Sequence, residues 1–183
     1  MIRAERSLLR VLESGQLTLV AATRELVAAD LGGRAELSVA LGAEVPEQWP
    51  PELFSTTVMH LVMDQLLDPA EHGWSAWYLL RRENGITILV GMCQFKGRPD
   101  ASGSTEIAYS ILEKYRNRGY ATEAVARLVN WAFGYQNVTE VAAETMPYRR
   151  QSIRIMEKNG FVFEGPGSEQ GVVRYVLRKK PGR

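Results

Sequence analysis

One cysteine, two histidines and no excess of charge leave this 183-residue chain few of the usual routes to a function. The lone Cys93 excludes an intrachain disulfide and every cysteine-based metal cluster. His60 and His72 have no third ligand or carboxylate at metal-like spacing, so no metal is expected and both read as surface or capping residues. Lysine and arginine total 22 against 21 acidic residues, and a net charge of +1 gives no electrostatic reason to expect a nucleic acid or a membrane as partner. No apolar run is long enough for a signal peptide or a membrane span, so a cytoplasmic protein is the expectation. Both standard nucleotide fingerprints, Gly-x-x-x-x-Gly-Lys-Ser/Thr and a strand-led Gly-x-Gly-x-x-Gly, are missing. Repeats, low-complexity runs and linkers are missing too, and 45% hydrophobic content suits one ordinary core, so residues 1–183 are expected to form a single domain.

What is present centres on one short basic turn. From Thr105 to Leu112 apolar and small or polar residues alternate, which is the period of a strand. After Arg116-Asn117-Arg118-Gly119-Tyr120-Ala121, the positions Ala121, Ala124, Val125, Leu128 and Ala132 recur at spacings of three and four, the stripe of an amphipathic helix. A strand, a basic turn with one glycine and a helix start put unpaired N–H groups and a positive helix end where a phosphate can bind.

The rest of the chain frames that turn. Ala4 to Leu12 reads as a helix ended by Ser14-Gly15, Leu17 to Ala21 as a short strand, and Thr23 as the N-cap of a helix to Leu31. A helical or irregular stretch runs to Leu41. The three prolines between Glu44 and Pro51 make a loop that carries Trp49. Phe54 to Leu67 has helical spacing. Trp74 to Arg82 and Ile86 to Phe95 are strands joined at Asn84-Gly85, a hairpin signal, and the strand from Thr105 makes a third antiparallel partner. Val138 to Thr145 follows the key helix as a crossover strand, parallel to the one that enters the turn. A helix then runs to Asn159 with Gly160 past its end, and a hairpin of Phe161 to Glu164 and Val172 to Arg178 closes the chain.

Several linked stretches resemble the GNAT acetyltransferase superfamily: Glu106 to Ile111, Tyr115 to Ala124, Glu144 to Pro147, Gln151 to Arg154 and Glu157 to Phe161. The resemblance is best to the branch that contains ribosomal-protein N-terminal acetyltransferases. It implies an α/β (α+β) fold with a mixed, mostly antiparallel sheet of about seven strands, about four flanking helices, and a splayed parallel pair in the middle. It also implies acetyl-CoA as cosubstrate and an amine as acceptor, either a protein N-terminus or a small molecule, with direct transfer in a ternary complex. The alternative is a GNAT-fold module that holds CoA without turnover. A monomer and a homodimer are both compatible with the sequence.

The resemblance also carries residue roles. Arg116, Asn117, Arg118, Gly119, Tyr120, Ala121 and Thr122 would hold the pyrophosphate, and Tyr109, Ser110 and Ile111 would pair their backbone with the pantetheine arm. Glu106 would be the base, and Ser152 would hydrogen-bond the departing thiolate. Plainer readings stand beside these: solvated loop charge for the arginines, a strand-edge carboxylate for Glu106, helix capping for Ser152. Trp49 is a candidate to line the acceptor pocket, with core packing as its alternative. Two positions depart from the family pattern, Met156 where many members have a tyrosine and Arg149 where the branch has an asparagine.

Overall fold

In a computed structural model that describes residues 10–180, eight strands form one sheet in the order β1-β2-β3-β4-β5-β6-β8-β7. The strands are β1 (Val11–Glu13), β2 (Leu17–Ala21), β3 (Ala76–Glu83), β4 (Ile86–Phe95), β5 (Ser104–Ile111), β6 (Glu140–Thr145), β7 (Val162–Pro166) and β8 (Val173–Arg178). The helices are α1 (Arg24–Gly32), α2 (Arg34–Leu41), α3 (Thr56–Gln65), α4 (Tyr120–Phe133) and α5 (Arg150–Lys158). All neighbouring pairs are antiparallel except β5 and β6, which are parallel and joined through α4.

The expected helix from Ala4 to Leu12 is corrected at its end. Val11 and Leu12 belong to β1, paired with Val20 and Leu19, the Arg10 carbonyl accepts from the Ala21 N–H, and the residues before Arg10 lie outside the described range. Ser14-Gly15 is a stop signal, but it turns a hairpin, with the Ser14 N–H bonded to the Leu17 carbonyl at 2.9 Å. A short apolar run has no decisive period, and pairing with β2 selects the strand. β1 is the strand beyond the expected seven, and α2, formed where the sequence allowed helix or irregular chain, is the added helix.

Local signals elsewhere translate directly. The Thr23 hydroxyl accepts from the Leu26 N–H and starts α1. Asn84 and Gly85 both adopt positive φ, 50° and 83°, as the two-residue turn of the β3–β4 hairpin demands.

Alternation along β3 sends consecutive aromatics to opposite faces. Trp77 packs edge-on against Trp131 of α4, whereas Tyr78 stacks near Trp49 and bonds Asp30 of α1. The sheet therefore carries α4 on one face and α1 on the other. Registry extends both rows across β4 to β5: Trp77 lies beside Cys93 and Cys93 beside Tyr109, while Tyr78 lies beside Met92 and Met92 beside Ser110.

Candidate active site

The sheet opens between its two parallel strands. β5 pairs with β6 only at Ser104, Thr105 and Glu106, opposite Glu140, Val141 and Ala142. Beyond Glu106, β5 keeps β4 on one side alone, through to Ile111 opposite Gly91. The Lys96 N–H donates to the Glu106 carbonyl and the Leu112 N–H to the Val90 carbonyl, so the even-numbered residues between them turn their backbone to β4. Tyr109 and Ile111 turn theirs to the opened edge. Ser110 directs its backbone to Met92, so it does not join them there. On β4 the register shifts opposite Leu79 and Leu80, with Val90 as the extra residue, a bulge that adds twist beside the opening.

The basic turn sits past the end of this edge. Asn117 and Gly119 both take left-handed backbone, φ 61° and 84°. Gly119 is the N-cap of α4 and supplies no side chain, so the first-turn N–H groups of Tyr120, Ala121 and Thr122 have no side-chain cap. Arg118 is exposed and lies over the buried Tyr115 ring. Arg116 folds back instead, its Nε donating to the Ile111 carbonyl at 3.0 Å.

Arg149 forms the other side of the mouth. It is the N-cap residue of α5, just past the end of β6, and its Nη1 is 3.3 Å from Glu52 Oε2. The same oxygen lies 3.7 Å from Arg116 Nη2. Glu52, brought by the loop between α2 and α3, thus bridges the two arginines. Nothing in the sequence marks Glu52, because its partners are distant in the chain.

Glu106 and Ser152 lie on opposite faces of the sheet. Glu106 shares the face of Ser110 and α1, ends the β5–β6 pairing, and forms an ion pair with Lys96. Ser152 belongs to α5 on the face of α4. Its capping reading fails, since the N-cap is Arg149 and Ser152 lies inside the helix, where its Oγ is 3.2 Å from the Tyr109 hydroxyl. That hydroxyl also donates to the Ser152 carbonyl at 3.0 Å. Burial pushes the Tyr109 hydroxyl up to about 12, the Ser152 hydrogen bond acting against it. Met156 is fully buried in the core and reaches no cleft.

Trp49 is 8% exposed, and its indole N–H donates to Asp30 Oδ1 at 2.7 Å. Burial raises the Asp30 carboxyl above the usual range, although the bonds from Trp49 and Tyr78 pull it down. Trp49 still lines a cavity of about 210 Å³ together with Asp30, Phe54 and Met59. A larger cavity of about 470 Å³, between Trp74, Arg98 and Tyr135, lies where β5 begins, at the far end from the turn.

Two ties hold the site together. The Asn159 amide donates to the Thr122 carbonyl at 3.3 Å and so docks α5 on the first turn of α4. Glu123 accepts the Gln16 and Leu17 N–H groups at 2.6 and 3.1 Å, fixing that same turn to the β1–β2 hairpin. Among the described residues no helix is long and apolar enough to cross a membrane.

A mixed sheet opened between two parallel strands, beside an uncapped helix start, defines a protein that can hold an extended anionic ligand. The acetyltransferase (GNAT) domain model matches residues 24–162, and the chain belongs to the GNAT acetyltransferase family. It is 27% identical over 138 residues to the uncharacterized N-acetyltransferase YjdG of Bacillus subtilis, covering 75% of this chain and 81% of that one. The ribosomal-protein-S5-alanine acetyltransferase of Vibrio fischeri superposes with a TM-score of 0.66 at 16% identity, over 95% of this chain and 99% of the other. RimL, a ribosomal L7/L12 alpha-N-protein acetyltransferase solved in complex with coenzyme A, superposes with a TM-score of 0.64 at 16% identity, over 92% and 98%.

Proposed function

We propose that this protein moves the acetyl group of acetyl-CoA directly to a primary amine, on a protein N-terminus or a small molecule, within a ternary complex. The observation that carries this reading is the opened β5 edge running toward the uncapped start of α4. An extended pantetheine arm fits the former, pairing with the backbone of Tyr109 and Ile111. The pyrophosphate fits the latter, held by the N–H groups from Gly119 to Thr122 and by the charge of Arg116 and Arg118. The CoA complex of RimL supports the choice of ligand.

Transfer requires a neutral amine. An α-amine with pKa near 8 is partly neutral at pH 7, whereas a lysine near 10.4 is mostly charged. Glu106 stands on the α1 face where the strands part, and it is the base, directly or through water. The Ile111 N–H, on the opened edge, polarises the thioester carbonyl. Trp49 and its cavity flank the acceptor's approach on the same face as Glu106.

Calorimetry with acetyl-CoA tests the reading. Saturable binding is expected, and changing Arg116 and Arg118 to alanine should weaken it at least tenfold. No binding by the intact protein sinks the proposal. A thiol-release assay against peptide N-termini, polyamines and aminoglycosides should detect turnover, and Glu106→Gln should lower kcat by roughly 10²-fold or more. Turnover on any acceptor excludes a module that only holds CoA.

A further inference from the structure

Glu52 and Leu53 are the two exposed residues of a tight turn whose flanks are fixed. Pro51 and Phe54 on either side are buried, and the Phe54 N–H donates to the Pro51 carbonyl at 3.2 Å. Trp49, just before, is tied to Asp30, and Ser55, just after, caps the start of α3 by accepting from the Val58 N–H. Movement here is therefore confined to the peptide between Glu52 and Leu53.

That peptide is held in a costly form. Leu53 has a φ of 73° and Glu52 a negative one, which with the closing bond defines a type II turn. The third position of such a turn suits glycine, because a side chain in left-handed backbone crowds the following carbonyl. A leucine that is more than half exposed buries little to offset this. Among the described residues, neither the Glu52 carbonyl nor the Leu53 N–H has a hydrogen-bond partner. The ties that remain on the pair are the two from Glu52 Oε2, at 3.3 Å to Arg149 Nη1 and 3.7 Å to Arg116 Nη2. Turning the central peptide over converts type II to type I, carries Leu53 to an ordinary negative φ, and leaves Pro51 and Phe54 in place.

We infer that the Pro51–Phe54 turn is a gate on the cosubstrate site: Glu52 occupies the two arginines of the mouth in the free protein, and an incoming phosphate takes them from it and lets the strained turn relax. Glu52 is an internal competitor, one carboxylate against the several charges of a pyrophosphate. Strain at Leu53 makes the closed form easy to give up, so the gate yields to an anionic ligand. The apparent affinity of the protein is its intrinsic affinity reduced by the fraction of molecules that are open. The gate presupposes the acetyltransferase reading above.

Two substitutions at Leu53 push the gate in opposite directions without altering any charge. Leu53→Gly suits left-handed backbone and holds the turn closed, so calorimetry should find acetyl-CoA bound about two- to fivefold more weakly. Leu53→Pro cannot adopt a positive φ and holds the turn open, so binding should tighten about two- to fivefold, as it should for Glu52→Gln. Beside Glu52→Gln, neither change at residue 53 should move the affinity by more than about 1.5-fold, because no competing charge remains for the turn to hold. A turn that served stability alone would shift the denaturant midpoints and leave the affinities equal. Those midpoints also show that each variant folds, and Leu53→Gly decides the sign if the proline variant does not. Equal affinities in the parent and the Leu53 variants, changes of the opposite sign, or changes that persist in full beside Glu52→Gln overturn the gate alone. Failure of the folded parent protein to bind acetyl-CoA overturns the acetyltransferase reading and the gate together.

Discussion

Arg116 and Arg149 stand on opposite sides of the mouth between β5 and β6 and share a single carboxylate oxygen of Glu52, at 3.7 and 3.3 Å. One arginine is anchored to the end of β5 through the Ile111 carbonyl, and the other starts α5 beyond β6. Glu52 thus places a negative charge where the cosubstrate's phosphates and arm would enter.

Removing that charge should therefore help the cosubstrate. All three side chains are substantially exposed, so the pairs are worth at most about 1 kcal/mol. Glu52→Gln should tighten acetyl-CoA binding about two- to fivefold at low salt, and the gain should shrink as ionic strength rises. Calorimetry at two salt concentrations decides it, and a weakened affinity would mean that Glu52 orders the mouth instead of competing for it.

Two glycines in the site should respond differently to alanine. A methyl on Gly91 would sit 2.5 Å from the Ser110 carbonyl oxygen, wedging β4 from β5. Gly91→Ala should cost about 1–3 kcal/mol, read as a fall in the denaturant midpoint. Gly119 has open space around it but a φ of 84°, so alanine there costs about 1–2 kcal/mol in backbone strain alone. Its larger effect should appear in CoA affinity, because relaxing that φ swings the first N–H groups of α4 away from the turn.

Cys93 should be chemically silent in the folded protein. It is fully buried mid-strand between Trp77 and Tyr109, and burial raises its thiol far above the usual range. A thiol reagent should label it only on unfolding, so the labelling rate reports opening of the sheet. Rapid labelling of native protein would contradict the packing on the α4 face.

Glu123 links the start of α4 to the β1–β2 hairpin, and its stability contribution should depend on pH. Burial raises its carboxyl, but hydrogen bonds from Gln16, Ser14 and Leu17 outweigh this and leave it below the usual range. A depressed folded-state value means stability that is fully present above the unfolded carboxylate range and lost as pH falls through the folded value. With allowance for solvent exposure, Glu123→Gln should cost about 1 kcal/mol at pH 7. The difference from the parent protein should close below about pH 4 in parallel denaturant titrations.

Features with a local cause are legible in the sequence, and those with a distant cause are not. The Asn84-Gly85 hairpin, the Thr23 cap, the glycine of the basic turn and the two periods flanking it all depend on neighbours within a few residues. Val11 and Leu12 were misread because a three-residue strand has no period of its own and takes its conformation from β2. Trp49 is buried and bonded to Asp30, the packing that stood as its alternative reading, while Ser152 bonds Tyr109 from inside α5, where the alternative reading had it capping the helix.

From sequence alone came most of the order of elements, the strand, basic turn and helix start around Arg116 to Thr122, and a likeness that named the family. These depend on backbone preferences and short spacings, which are written along the chain. Tertiary structure alone decided where β5 parts from β6, that Tyr109 and Ile111 rather than Ser110 face the gap, and that Glu106 and Ser152 stand on opposite faces. It alone brought Tyr109 to Ser152 across 43 positions and Glu52 to Arg149 across 97. Such pairings follow from how strands register and helices pack, and no local pattern records them.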